Sequence, residues 1–345
     1  YNRNSLLNDN NNNDDDDIHS AEDSLFDRVD RDFPCFSRMR IEILPFYQFQ
    51  YFPNLTYLNI VQKEFLFPFD KFVINSFSHL QKLEMLLINI GQRSPGTHFL
   101  FKAFLQLPLL KHFELSIDFL QNKDWEVFQE FSKNQNLLQL FSLTVSDLPS
   151  QKTGFLQQNV YIENLIKSFS DKKLLTSLEL KCRGCSLESI SKGFSELTTI
   201  KNQMNILKIE SIDENILSES KAWKRVDGLC NFIKNQKESM KALELNLHLA
   251  PEDSIVTNLA EATSKVKTLT ELRLWLNSSK ENYNILVDYF ENEMQQDTPV
   301  ENRKKLKKSK TWNPNLAKHL LKLVNLEEFA LKFDVPDTKS LSWFK

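Results

Sequence analysis

Glycine is the scarcest informative residue: the chain of 345 residues has six. Average usage is about 7%, so this count nearly excludes any fold that cradles phosphate in a glycine-rich loop. Neither GxGxxG nor GxxxxGK[ST] occurs. Cysteine is also sparse. Cys35, Cys182, Cys185 and Cys230 are too few and too scattered for a disulfide framework. Buried thiols in a reducing compartment, and hence an intracellular, cytoplasmic protein, are the expectation. Long apolar runs are missing too, because Lys102 and Lys111 interrupt the richest stretch, Phe99 to Phe113. A membrane helix needs ~18–20 apolar residues, so no span is expected. No signal peptide is visible, although a chain that starts at Tyr1 rather than Met makes that observation weak.

An excess of one charge is likewise absent. Lys plus Arg is 43 and Asp plus Glu is 46, a formal charge of −3, which gives the whole chain no bias toward nucleic acid or an anionic membrane. Catalytic signatures are missing as well. The six histidines form no HExxH and no close pair, and no GxSxG occurs. Cys182-Arg-Gly-Cys185 is a lone CxxC, whereas a structural zinc needs four ligands. It is expected to pack in the core or a turn. No enzymatic activity, cofactor or metal is expected.

What is present divides into two regions. Residues 1–35 carry NDNNNNDDDD (Asn8–Asp17), with a local charge near −8 between Asp9 and Asp32. Such a tract buries too little apolar surface to offset its ordering entropy, so a disordered acidic segment is expected. It lacks the Gly turn and terminal Glu of an EF-hand calcium loop.

From Phe36 the pattern L-x-x-L-x-L recurs. It is read at Leu55, Leu58, Ile60; Leu80, Leu83, Met85, Leu87; Leu110, Phe113, Leu115; and Leu138, Phe141, Leu143. Further copies are Leu175, Leu178, Leu180; Met204, Leu207, Ile209; Met240, Leu243, Leu245; Leu269, Leu272, Leu274; and Leu326, Phe329, Leu331. A degenerate first copy is Phe36, Met39, Ile41. The alternation is that of a short strand with one buried face. Between strands the apolar period lengthens to three and four, as in Phe69, Phe72, Val73, Phe77; Trp125, Phe128, Phe131; Ile162, Leu165, Ile166, Phe169; and Trp223, Val226, Leu229, Cys230, Ile233. Each unit is therefore strand, turn, helix, and neither element buries its face without a neighbouring unit.

This resembles the leucine-rich repeat family, in particular its ribonuclease-inhibitor-like branch with long units and full helices. The resemblance implies an α/β solenoid over 36–345, with parallel strands on a concave face, helices on a convex face and proteins as partners. Of the family's Asn or Cys position, eight residues after the first Leu, only Asn277 survives. One interval, Leu269 to Leu326, is twice the usual unit and holds a basic insertion around 282–318. Its core, Arg303, Lys304, Lys305, Lys307, Lys308 and Lys310, gives a candidate anionic-partner contact, through which RNA is the weaker candidate partner.

Strand alternation assigns side chains to the concave face. The expected central column is Arg40, Asn59, Glu84, Glu114, Ser142, Glu179, Lys208, Glu244, Arg273 and Ala330. Its glutamates Glu84, Glu114, Glu179 and Glu244 form a stripe of like charge on this reading, with Lys181 and Lys208 alongside. Leu86, Leu140, Ile206 and Trp275 are expected to be apolar residues facing outward. Tyr57, Arg273 and Trp275 complete the candidate partner-binding set, because Trp and Arg are enriched where interfaces concentrate their energy. The function expected is a non-catalytic scaffold or assembly subunit. The alternatives are a regulatory or targeting region of a longer polypeptide carrying a kinase or ubiquitin-ligase module, and an RNA–protein assembly factor.

Overall fold

The computed structural model describes residues 37–41, 46–62, 71–91, 96–146, 152–197, 203–212, 226–249, 254–276, 319, 322–323, 325–333 and 341–344. The acidic segment and the basic run 303–310 lie outside the described residues.

One sheet organises the chain. Its strands are β1 (Arg38–Ile41), β2 (Tyr57–Gln62), β3 (Met85–Ile90), β4 (His112–Ile117), β5 (Leu140–Val145), β6 (Ser177–Arg183), β7 (Ile206–Ile212), β8 (Ala242–Leu249), β9 (Glu271–Leu276), β10 (Glu328–Phe333) and β11 (Leu341–Phe344). They stand side by side in sequence order, and β1 to β10 are all parallel. β11 turns back antiparallel on β10. A parallel sheet in sequence order requires a crossover after every strand on the same side, which is the α/β solenoid that the repeat implies. β10 pairs directly with β9 over six residues, so nothing from the long interval between them enters the sheet there.

Seven helices among the described residues supply the crossovers: α1 (Lys71–Phe77), α2 (Thr97–Phe104), α3 (Asn122–Asn134), α4 (Lys152–Lys167), α5 (Leu187–Ser195), α6 (Asp227–Asn235) and α7 (Ser254–Thr263). A short 3-10 helix, Phe46–Tyr51, stands in that place between β1 and β2. Three helices carry no aromatic flag that the sequence reading used: α2, α5 and α7. α5 and α7 bury small residues, Gly193, Ala260 and Ala262, beside Leu187, Ile190, Phe194, Ile255, Val256 and Leu259.

The core lies between the sheet and the helices and is continuous from Phe49 to Leu323. Leu178, Leu180, Leu243, Leu245, Leu272 and Leu274 are buried, as the repeat requires. Its first half is a path of phenyl rings. Phe49–Phe77, Phe77–Phe104, Phe104–Phe131, Phe113–Phe131, Phe113–Phe141 and Phe141–Phe169 have centroids 5.1, 5.7, 5.8, 4.8, 5.7 and 4.8 Å apart. These are attractive offset and edge-on separations.

A second continuous feature fixes the register. The carbonyls of Ser37, Thr56, Glu84, Lys111, Gln139, Thr176, Asn205, Lys241 and Thr270 each accept two backbone N–H groups from the next repeat, at 2.7–3.1 Å. Every one of these residues stands at or just before a strand start, so they form one row along the leading edge of the sheet. Buried polar side chains near this edge also tie repeats together. Gln135 Nε2 donates to Phe104 O, Lys172 Nζ to Lys133 O, and Gln203 Nε2 to Lys172 O. The Gln236 Oε1 atom accepts from the backbone N–H of Gln203 and of Met204, at 2.9 and 3.0 Å.

The register corrects the second repeat. Leu86, expected on the concave face, pairs with Leu58 and Phe113 and is fully buried. The repeat begins at Leu83, not Leu80, and runs Leu83, Leu86, Ile88, Ile90. The segment LQKLEMLLINI has apolar residues on both faces, and two overlapping L-x-x-L spacings satisfy the pattern equally. Burial of the extra Leu80 beneath the turn decides between them.

Candidate functional site

The helices cover one face of the sheet; the other face carries three rows of side chains that the core does not use. Pairing sets the rows. The first is Arg38, Tyr57, Met85, His112, Leu140, Ser177, Ile206, Ala242, Glu271 and Glu328. The central row is Arg40, Asn59, Leu87, Glu114, Ser142, Glu179, Lys208, Glu244, Arg273 and Ala330. The third runs Val61, Asn89, Ser116, Thr144, Lys181, Glu210, Asn246, Trp275 and Lys332.

Glu84 is therefore not in the central column. It stands on the leading-edge row beside Lys111, whose Nζ it receives at 2.7 Å. Its place in the column belongs to Leu87. The stripe of four like charges falls with it, because Lys208 separates Glu179 from Glu244. Across β6 to β9 the column alternates in sign: Glu179, Lys208, Glu244, Arg273.

That alternation is closed by direct contacts. Glu179 receives Lys181 Nζ at 2.6 Å and Lys208 Nζ at 3.6 Å. Arg273 holds Glu328 through Nη2 at 2.7 Å and Nε at 2.8 Å, and reaches Glu244 at 3.7 Å. Burial pushes the Glu244 carboxyl above its ordinary range, against the lowering pull of Lys208, Arg273 and Lys181. Burial draws the Lys181 ammonium down, but its hydrogen bond and ion pair with Glu179, with help from Glu244 and Glu210, raise it overall. The Glu328 hydrogen bond leads the causes that raise Arg273.

The two ends of the candidate set differ in surroundings. Tyr57 lies under the Arg38 guanidinium, 4.8 Å from ring centroid to Cζ, and is half-buried. Trp275 is half-buried beside a register irregularity between Asn246 and Leu249, and borders a small cavity with Leu247, Leu259 and Thr263. Arg273, expected to serve beside Trp275 in partner binding, pairs within the chain with Glu328 and Glu244. The six residues of the basic run lie outside the described residues, as does the interval that would cover Trp275.

Glu114 is different again. It is exposed on β4, between Leu87 and Ser142, and among the described residues its carboxylate makes no hydrogen bond or ion pair. Met85 and Leu87 beside it escaped the sequence reading, since both were assigned to the core by the misplaced repeat. The spacing held a usable signal: starting the repeat at Leu83 makes the first three intervals 28, 27 and 28 residues.

Elsewhere, Cys182 and Cys185 form no disulfide and are buried, the first by strand alternation in β6 and the second just past the left-handed Gly184 at φ 74. Burial raises the Cys230 thiol to about 12. No cluster of potential metal ligands occurs among the described residues, and no described helix is long and apolar enough to cross a membrane.

Comparison with known proteins adds little. No protein-family model and no curated protein matches the chain. Among solved structures it is similar to an internalin from Listeria monocytogenes, at 13% identity over 71% of this chain and 81% of that one, with a TM-score of 0.21. The leucine-rich-repeat-like solenoid rests on the ten in-register parallel strands themselves.

Proposed function

We propose that this chain is a non-catalytic protein-binding solenoid that works as a scaffold or assembly subunit through the open face of its sheet. One observation carries the reading: ten aligned strands present three rows of side chains, and several of these, Tyr57, Met85, Leu87, Leu140, Ile206 and Trp275, are large, apolar and only half-buried. Half-buried apolar residues gathered on one face mark an interaction surface more often than scattered ones do. Intervals of 28, 27 and 28 residues with full helices support the long-unit, ribonuclease-inhibitor-like branch. The buried thiols support a reducing, cytoplasmic setting. The reading as part of a longer polypeptide, and the RNA reading through Arg303–Lys310, have no support among the described residues.

Photo-crosslinking in native extract tests the proposal. A photoreactive side chain at Asn59, Ser142 or Asn246 should capture a protein partner, whereas one at the exposed helix positions Lys123 or Lys192 should not. Crosslinks from the helix positions alone would overturn it.

A further inference from the structure

The open face is divided electrostatically, and the division says what kind of partner fits. Over β6 to β9 the charges satisfy one another: Glu179 with Lys181 and Lys208, and Arg273 with Glu244 and Glu328. A partner docking there would have to break pairs already made, which offsets most of what new pairs contribute. Over β2 to β5 the face carries in its three rows, besides His112, one charged side chain, and Tyr57, Met85, Leu87 and Leu140 stand in the first and central rows with His112 between Met85 and Leu140. In its middle stands one carboxylate, Glu114, which has no partner of its own among the described residues. Neighbouring strands lie ~4.8 Å apart, so Leu87 borders this charge directly and Met85 and Leu140 border it diagonally.

We infer that the strand face over β2 to β5 docks a protein segment in which one Lys or Arg is flanked by apolar side chains. The cation pairs with Glu114 while its neighbours cover Leu87, Met85 and Leu140. Covering Leu87, Met85 and Leu140 removes water from that side of the pair and strengthens it, while His112 and Ser142 form its polar sides, so that a single interfacial charge decides specificity. The acidic residues 9–32 of the chain itself have the wrong sign for this place.

The inference rests on the reading of the open face as the binding surface, and the test separates the two. The full chain is screened against an array of dodecapeptides with Leu or Phe around a central Arg, Lys, Ala or Glu. Arg- and Lys-centred peptides should be retained, Glu114→Gln should weaken them about tenfold, and Glu114→Lys should shift the preference to Glu-centred peptides. Leu87→Asp should abolish retention, while Glu179→Gln should leave it unchanged. Selection that ignores the central charge, or that is insensitive to Glu114, overturns the inference. If the photo-crosslinks map to β6–β9, the open-face reading stands and this one falls. If they map to the helices, both fall. Two other occupants would also overturn it. One is a second copy, seen as concentration-dependent dimerisation lost in Leu87→Asp. The other is the chain's own basic run, seen as peptide retention only after Lys304, Lys305, Lys307 and Lys308 are changed to Gln.

Discussion

Asp124 shows how a single buried carboxylate joins two repeats. Its Oδ1 accepts from Thr97 Oγ1 at 2.8 Å, and its Oδ2 from the Gln121 backbone N–H at 2.8 Å, capping the start of α3 and tying it to α2. Burial raises its pKa above the ordinary 3.8, although Gln121, Thr97 and His98 all pull it down. The folded chain therefore holds this proton more tightly than the unfolded chain does. The group's contribution to stability is fully present below the unfolded value and is lost as pH rises through the raised folded value. Asp124→Asn keeps both contacts if the Thr97 hydroxyl turns to accept. Urea unfolding across pH should then show the variant gaining on the wild type as pH rises from 3.8 through that window, and a difference of opposite slope would contradict the burial argument. Asp124→Ala leaves two donors unpaired and should cost about 1–3 kcal/mol. The misread repeat makes a second test at this scale: Leu86→Ala should cost ~2–5 kcal/mol, while Leu87→Asp should leave the melting temperature nearly unchanged. The opposite pattern would restore the Leu80 register.

Helix-to-helix approach is the matter at the scale of the element, and it turns on glycine. A Cβ on Gly228 of α6 would stand 2.0 Å from the Ser191 carbonyl oxygen of α5, and one on Gly193 of α5 would stand 2.7 Å from Ile166 Cβ of α4. Alanine is the better helix former by about 1 kcal/mol, so propensity alone favours the substitution. The overlap wins. Gly228→Ala should destabilise the domain by about 1–3 kcal/mol net of that gain, with Gly193→Ala less severe, as read by denaturant midpoints. An unchanged or higher midpoint for Gly228→Ala would show that the helices stand farther apart. The same glycines explain what the sequence concealed. The Trp and Phe periodicity of α3 and the Ile, Leu and Phe spacing of α4 announce helices because large apolar side chains recur at three and four residues. α5 and α7 bury Leu187, Ile190, Phe194 and Ile255, Val256, Leu259 at the same spacing, diluted by buried Gly, Ala, Ser and Thr, and the sequence reading passed over them; α2 is so rich in apolar residues that it read as a long hydrophobic stretch. Strands were legible wherever one face alone was apolar; β3 is apolar on both, and there the register slipped by three residues and carried Glu84 into a column where it does not stand. The antiparallel β11 has no repeat signature, so nothing in the pattern could announce it.

At the scale of the whole molecule the chain is two half-solenoids of different character in one sheet. The aromatic path ends near Phe169: six or seven residues before each repeat start, Phe49, Phe77, Phe104, Phe131 and Phe169 give way to Leu197, Ile233 and Ala262. The open face changes over the same stretch, from sparsely charged and partly apolar to charged and self-paired. Removing Lys208 exposes the second half's dependence on alternation. With Lys208→Gln, Glu244 loses the first of the cations that lower it, so its carboxyl, followed by NMR, should titrate at a still higher pH than in the wild type. Titration at an unchanged or lower pH would refute the ladder. Repeats in a solenoid touch only their neighbours, so damage should stay local. Phe104 contacts Phe77, Phe101, Phe113 and Phe131. Phe104→Ala should cost ~3–5 kcal/mol where it acts and should speed hydrogen exchange in β3, β4 and β5. The amides of β8 and β9, four strands away and outside the aromatic path, should exchange at the wild-type rate. Uniform acceleration from β2 to β9 would instead mean that the two halves open as one cooperative unit, and that the change of core and of surface near β6 is not an energetic boundary.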